Sequence, residues 1–215
     1  MIQRIPTRLF VLLAALTLIP ATVSEAQVGQ NMGVLNPNTA TESELAALPH
    51  MDAAKADSIL AGRPFTDMLE VNALVGESLD EARQDELYAR LFLPLNLNDT
   101  SEEEILLVPG VGNRMAHEFD EYKPYAHIAE FRREIGKYVD DEEVARLEQF
   151  VFVPIDLNTA SDEDILTIPN LGNRMLHEFK EYRPYSRIEQ FRREIGKYVD
   201  DDEVARLERY VEIQP

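Results

Sequence analysis

A 60-residue unit is written three times along this chain of 215 residues without a change of register. Prolines that mark a turn recur at Pro49, Pro109 and Pro169, and a second turn, in which proline precedes an aromatic residue, recurs at the same interval. Self-similarity at a fixed period predicts an array of small units that bury apolar surface partly against one another. The expected boundaries are 35–94, 95–154 and 155–215, which we call repeats 1, 2 and 3.

Each repeat carries the signals of four short helices. In repeat 3, Ser161 followed by three acidic residues predicts an N-cap, and that helix should stop before Pro169. Apolar residues at helical spacing predict a second helix from Asn173, a third closed by Gly196, and a fourth at Asp202–Val211. The predicted fold class is all-α, with three tandem four-helix repeats of 60 residues. The short linkers, which are not rich in Gly or Ser, predict a fairly rigid rod.

The first 26 residues have the pattern of a secretory signal peptide. Arg4 and Arg8 precede an apolar run of 11 residues, which is shorter than the roughly 20 that a membrane-spanning helix needs. Cleavage is expected near Ala26, leaving a short segment, 27–34, ahead of repeat 1. We therefore expect an exported protein, periplasmic or extracellular, with no membrane insertion of the mature chain. The sequence has no cysteine, so stability must come from packing without disulfides.

The chain is strongly acidic, with a formal net charge of −19. The expected leader contributes two Arg and one Glu, so its removal leaves −20. Repeat 3 is the least negative unit, with nine Lys and Arg against 14 Asp and Glu. Such a charge favours solubility and opposes contact with nucleic acid or anionic membranes. A high-salt habitat is an alternative origin of the same composition.

The hairpin motifs resemble a known family. Asn158–Ser161, Ile168–Gly172 and the Arg183–Tyr185 turn are similar to the tandem helix-hairpin-helix domain of the bacterial competence DNA receptor ComEA family. Repeat 2 matches the hairpin best, at Val108–Ala116, and the resemblance covers nearly all of residues 35–215.

The resemblance implies a phosphate-binding role for the hairpin glycines. In the family, these glycines let backbone N–H groups meet a DNA phosphate at the start of a helix, where the dipole favours an anion. An alternative interpretation is that glycine only permits a tight turn with positive φ between two packed helices. The implied contacts are Gly110, Val111, Gly112 and Arg114 in repeat 2, and Gly172 and Arg174 in repeat 3.

Three departures from the family pattern weigh against DNA. Repeat 1 has His50 and Asp52 in place of both glycines, so a carboxylate would repel a phosphate there. Repeat 3 replaces the first glycine by Asn170, which can still adopt the left-handed conformation. The second hairpins carry the acidic runs Asp140–Glu143 and Asp200–Glu203, which should occupy the positive end of the last helix themselves.

A basic strip in repeat 3 has six cations against three Glu, interleaved with aromatic residues. This pattern suits single-stranded nucleic acid. In the alternative interpretation, the aromatic residues belong to the core, while Arg192 and Arg193 pair with acids of the adjoining repeat. The cations of the strip are Lys180, Arg183, Arg187, Arg192, Arg193 and Lys197.

Two functions from different classes follow. The favoured one is an exported, non-catalytic binding or scaffold module that docks to protein partners, as the similarly folded photosystem II subunit PsbU does. The alternative is ComEA-like, non-sequence-specific DNA binding through the hairpins of repeats 2 and 3. We expect no enzymatic activity, cofactor or metal, because His117 and His177 lack the second histidine of a zinc helix and the acidic runs lack an ordered calcium loop.

Overall fold

The computed structural model describes residues 34–214; the expected signal peptide and the segment 27–33 lie outside the described residues. These 181 residues form twelve α-helices and four two-residue strands, so the all-α prediction is confirmed. Repeat 1 contains α1 (Glu42–Ala46), α2 (Ala53–Gly62), α3 (Met68–Val71), which continues as a π-helical turn (Asn72–Gly76), and α4 (Glu81–Tyr88). Repeat 2 contains α5 (Glu102–Ile105), α6 (Asn113–Glu121), α7 (Ile128–Ile135) and α8 (Asp141–Glu148). Repeat 3 contains α9 (Asp162–Leu166), α10 (Asn173–Glu181), α11 (Ile188–Ile195) and α12 (Asp201–Glu208).

Each repeat is closed by a short parallel pairing between its first and last residues. In repeat 2, β1 (Leu95–Asn96) pairs with β2 (Val151–Phe152), and in repeat 3, β3 (Ile155–Asp156) pairs with β4 (Val211–Glu212). A single bridge between Leu35 and Leu91 does the same in repeat 1. The prediction that the fourth helix runs to residue 211 is therefore wrong, because this buried β-branched residue belongs to a strand.

The first helix of every repeat starts at a capping box. Thr41, Ser101 and Ser161 each accept a hydrogen bond from the backbone N–H three residues later, and the acidic side chain at that later position accepts one from the cap's own N–H. Two N–H groups that lack helical partners are satisfied together, which explains how helices of only four or five residues start reproducibly.

The recurrent asparagine fastens the start of each repeat to the proline–aromatic turn. Asn98 donates from Nδ2 to the Tyr125 carbonyl oxygen at 2.9 Å, and its Oδ1 accepts from the Tyr125 N–H at 2.7 Å. Asn38 and Asn158 make the same two bonds to Phe65 and Tyr185. The two motifs lie 27 residues apart in sequence and form one structural element.

The glycine after the third helix is needed for close packing. Gly136 has a φ of −61°, an ordinary right-handed value, so the expected left-handed cap is wrong. A Cβ at this position would lie 2.8 Å from the carbonyl oxygen of Arg132. At the equivalent Gly76, a Cβ would lie 1.9 Å from the hydroxyl of Tyr88. A side chain at either position must therefore displace its neighbours.

Aromatic pairs join consecutive repeats. Phe92 of repeat 1 packs edge-on against Phe150 of repeat 2, with ring centroids 5.1 Å apart. One repeat later, Phe152 packs against Tyr210 at 4.7 Å. All four side chains are buried, and the cores of repeats 1 and 2 form one continuous cluster. The repeats are thus packed units with shared apolar interfaces.

The array is curled, because repeat 3 touches repeat 1. Arg209 donates to the carbonyl oxygens of Phe65 at 3.4 Å and Pro94 at 3.1 Å. Burial lowers the pKa of this guanidinium, while the charges of Glu104 and Asp67 raise it. The expectation of a rod holds for stiffness between neighbours, but a straight rod is wrong, since its first and third units would not meet.

Replacing Arg209 with alanine should loosen this curl. The variant loses two hydrogen bonds to main-chain carbonyls, and we expect the free energy of unfolding to fall by about 1–3 kcal/mol. Small-angle X-ray scattering should report a larger radius of gyration. Arg83→Ala is the control, because Arg83 is exposed and its ion pair stays within repeat 1. An unchanged radius in Arg209→Ala would mean that this contact does not hold repeats 1 and 3 together.

Candidate functional site

The first hairpin of each repeat contains one left-handed residue. Gly110 has a φ of +75° between α5 and α6, and the equivalent Asn170 and His50 have φ values of +57° and +58°. Asn170 thus adopts the conformation expected of it, and His50 shows that repeat 1 keeps the turn without glycine. A tight turn is sufficient reason for glycine at position 110.

The second hairpin glycine has no such reason. Gly112 and Gly172 are N-caps of α6 and α10 with φ values of −100° and −94°, which other residues adopt easily. No heavy atom within the described residues lies within 4 Å of a Cβ built at either position. Neither glycine gives its helix a side-chain cap. The starts of these two helices are therefore open to a group from outside, and an anion is what the helix dipole favours there.

Four other helix starts are filled by the protein's own carboxylates. Asp52 of repeat 1, which replaces the glycine, accepts from the Lys55 N–H at 2.9 Å. Asp80, Asp140 and Asp200 cap the last helix of each repeat in the same way. Of the six hairpin helices that follow a turn, four carry an Asp cap and two are open. An external phosphate would compete with a carboxylate at the four capped starts.

The open start of α6 lies in a shallow groove that also holds an acid. Gly112, Arg114, Glu118 and Tyr138 line this groove, and both hairpins of repeat 2 contribute to it. The hydrogen bond from Tyr138 to Glu118 raises the pKa of the tyrosine. Because a carboxylate sits beside the exposed Arg114, the groove is less attractive to an anion than its cation alone suggests. Glu118 was missed in the sequence, where nothing marked it as facing the hairpin.

The corresponding residues of repeat 3 are arranged similarly. Arg174 is exposed on the first turn of α10, with its guanidinium carbon 5.9 Å from the ring centroid of Tyr198. A hydrogen bond to Tyr182, followed by one to Glu178, raises the pKa of Tyr198. Val111, the remaining hairpin candidate of repeat 2, is buried and contributes to the core.

Most cations of the basic strip are bound to neighbouring groups within repeat 3. Arg192 makes two bonds to the Glu208 carboxylate, at 2.6 and 2.5 Å. Arg193 and Lys197 both bind Glu194. Lys180 pairs with Asp162, and Arg183 donates to the Ala160 carbonyl oxygen at 2.9 Å. Among the six, Arg187 is the cation for which no partner occurs within residues 34–214.

The expected pairing with acids of the adjoining repeat is wrong, since Glu208 and Glu194 belong to the same repeat as their partners. The aromatic residues of the strip are mostly core: Tyr185 and Phe191 are buried, while Tyr182 is half-buried. The strip therefore offers few free cations and few accessible rings for stacking on bases.

The two candidate histidines lie on helix surfaces. His117 and His177 are exposed, and their Nε2 atoms lie 3.8 and 3.4 Å from the carboxylates of Glu121 and Glu181. Within residues 34–214, no group of three or more His, Cys, Asp or Glu side chains is arranged to hold a metal ion. In the same range, no helix combines the length and apolar character needed to cross a membrane.

Comparisons with known proteins leave the family of this chain open. A scan of protein-family models and searches of curated proteins and of solved structures returned no match.

Proposed function

We propose that this chain is an exported, non-catalytic protein of three tandem helix-hairpin-helix repeats that docks to protein partners. The recurrence of paired helices around a tight turn in each repeat supports the helix-hairpin-helix assignment. The observation that carries the docking function is the closure of four helix starts by Asp side chains. Those closures remove most of the positions at which such hairpins could hold a nucleic-acid backbone.

The surface chemistry favours a partner with a basic face. Exposed carboxylates cluster in the first turns of α5, α8, α9 and α12. Of these, Asp141 and Glu142 of repeat 2, and their equivalents Asp201 and Asp202, are exposed and make no ion pair among residues 34–214. A negative surface of this kind accelerates encounter with a positive partner. We therefore assign the acidic helix starts as the docking surface.

Site-specific photo-cross-linking tests the docking function. A photoreactive residue at Glu142 should capture a partner protein in cells, and the same residue at Arg114 should not. With the captured partner purified, the association rate should fall as salt rises from about 50 to about 200 mM, because the screening length shortens. Cross-links from position 114 to nucleic acid, with none from position 142 to protein, would contradict the proposal.

DNA binding is the second candidate, and the two open helix starts favour it. Gly112 and Gly172 leave room at helices of nine residues, and Arg114 and Arg174 are exposed on the first turn of each. Two such sites on consecutive repeats could each contact a phosphate of one strand.

Fluorescence anisotropy of labelled single- and double-stranded DNA separates the two candidates. The docking function predicts no binding even at about 50 mM salt, where phosphate contacts are strongest. If DNA does bind at low salt, Arg114→Glu or Arg174→Glu should abolish binding, whereas Arg83→Glu, at an exposed arginine distant in sequence from these hairpins, should leave it unchanged. That result would replace docking by DNA binding as the function.

A further inference from the structure

The far end of repeat 3 carries an uncovered groove. We call this the end groove; one wall is formed by Tyr185–Ile188 and the other by Val211–Gln214, which includes strand β4. Arg187 is exposed at its rim, and Ile188, Glu212 and Ile213 are half-buried. Nothing within residues 34–214 packs over this groove in the way that a following repeat covers repeats 1 and 2.

In repeat 1 the equivalent groove is occupied by later repeats. The Met68 N–H donates to Oε1 of Glu104, a residue of repeat 2, at 3.2 Å. Arg209 of repeat 3 bonds the carbonyl oxygens of Phe65 and Pro94 in the same groove. The groove is thus a receptor for the next units of the array, built from main-chain groups that every repeat possesses.

The aromatic pairs at the internal boundaries give way to opposite charges at the two ends of the array. The pair Phe92–Phe150 recurs as Phe152–Tyr210, so each pair joins positions 58 residues apart. The phenylalanine position becomes Glu212 in repeat 3, and the facing aromatic position becomes Arg90 in repeat 1. Arg90 is exposed in a chain with 40 acidic and only 21 basic residues. A guanidinium and a carboxylate therefore stand where a continued array would bring them together.

A second pair of positions is matched in the same sense. Glu104 of repeat 2, which enters the groove of repeat 1, has Glu44 as its equivalent in repeat 1. Glu44 adopts the same capping-box geometry at the start of α1 as Glu104 does at α5. On the receiving side, the position next to the groove is Asp67 in repeat 1 but Arg187 in repeat 3. The incoming acid would meet a cation at the end groove.

We propose that the end groove binds repeat 1 of a second copy of this chain, with Glu212 facing the partner's Arg90 and Arg187 facing the partner's Glu44. The contact continues the interface that already joins repeats within one chain. It is independent of docking to other proteins and of DNA binding. Because the two surfaces in contact differ, the association is head-to-tail and extends into chains unless the rotation closes a ring.

The net charge of the protein opposes this association at low salt. Repulsion between whole molecules acts over long distances, whereas the two ion pairs act in contact. At about 150 mM salt the screening length is about 8 Å, which weakens the distant repulsion more than the contacts. Association should therefore be stronger at about 150 mM than at about 10 mM salt, the opposite of the behaviour of a complex formed by long-range attraction.

Sedimentation velocity on the purified protein over about 5 to about 500 µM tests the proposal in the range of weak association. The weight-average sedimentation coefficient should rise with concentration. Glu212→Arg alone and Arg90→Glu alone should each weaken association at least about tenfold, because like charges then face each other. An equimolar mixture of the two variants should restore association, since each supplies the end that the other lacks.

Both substitutions change half-buried or exposed charges, and circular dichroism should report unchanged helix content. A wild-type protein that stays monomeric at every concentration and salt would overturn the proposal, with the charged ends then acting only as caps against propagation. Association that persists in both single variants, or a mixture that fails to restore it, would also overturn the proposal, because the pairing of Glu212 with Arg90 would not be its basis.

Discussion

Replacing Phe152 with alanine is expected to lower the free energy of unfolding by about 3–5 kcal/mol, the usual cost of deleting a buried phenylalanine ring. The side chain is 2% exposed and packs against Tyr210 with ring centroids 4.7 Å apart. This contact joins repeats 2 and 3, so its loss should also make repeat 3 open independently of the rest. Chemical denaturation measures the first effect, and hydrogen exchange resolved by repeat measures the second.

Phe119→Ala is the matched control for this experiment. Phe119 is equally buried, and its edge-on partner Phe131, at 5.1 Å, lies within repeat 2. A similar loss of stability is expected, but the faster exchange should be centred on repeat 2. If Phe152→Ala leaves the exchange of repeat 3 unchanged relative to repeat 2, the aromatic pair does not couple the repeats. A double-mutant cycle with Tyr210→Ala should give a coupling energy of about 0.5–1.5 kcal/mol.

Asn98→Ala is expected to lower the free energy of unfolding by about 2–4 kcal/mol, because the variant loses two hydrogen bonds and leaves main-chain groups without partners. Both bonds go to Tyr125, a buried residue, at 2.7 and 2.9 Å. The effect should exceed that of an ordinary polar-to-alanine change because the amide links the start of the repeat to its central turn. Urea denaturation followed by circular dichroism measures it.

Asn98→Asp separates the two bonds. The carboxylate keeps the acceptor for the Tyr125 N–H but loses the donor to its carbonyl oxygen, so an intermediate loss of stability is expected. Asn36→Ala offers a comparison in which one turn bond of 2.9 Å, to the Asn38 N–H, is removed. Equal stability of Asn98→Ala and Asn36→Ala would show that the bridge to the turn contributes nothing beyond the local bond.

The starts of the helices could be predicted from sequence because their causes are local. A capping box at Ser101 or Ser161 involves residues only three apart, and a proline stops the preceding helix at short range. The asparagine and the proline–aromatic turn were each visible as repeating residues. Their connection was not, because a pair of hydrogen bonds across 27 residues depends on how the helices pack.

The electrostatics of the candidate site required the tertiary structure. Arg192 and Glu208 are 16 residues apart, on helices whose relative orientation no local pattern reports. The composition of the strip predicted free cations, and folding pairs most of them. Conversely, Gly112 and Gly110 look alike in the sequence, although a positive φ requires glycine only at the second of these. The implied phosphate contacts remain a prediction of the family resemblance.

The closure of each repeat by parallel first and last strands also determines how the protein responds to tension. In repeat 3, the Ile155 N–H donates to the Tyr210 carbonyl oxygen and the Leu157 N–H donates to the Glu212 carbonyl oxygen, each at 2.9 Å. A force that pulls the chain ends apart draws the two strands past each other, so both hydrogen bonds bear load together instead of opening in turn. Each repeat is therefore held in shear, and the array should lengthen in steps of one repeat.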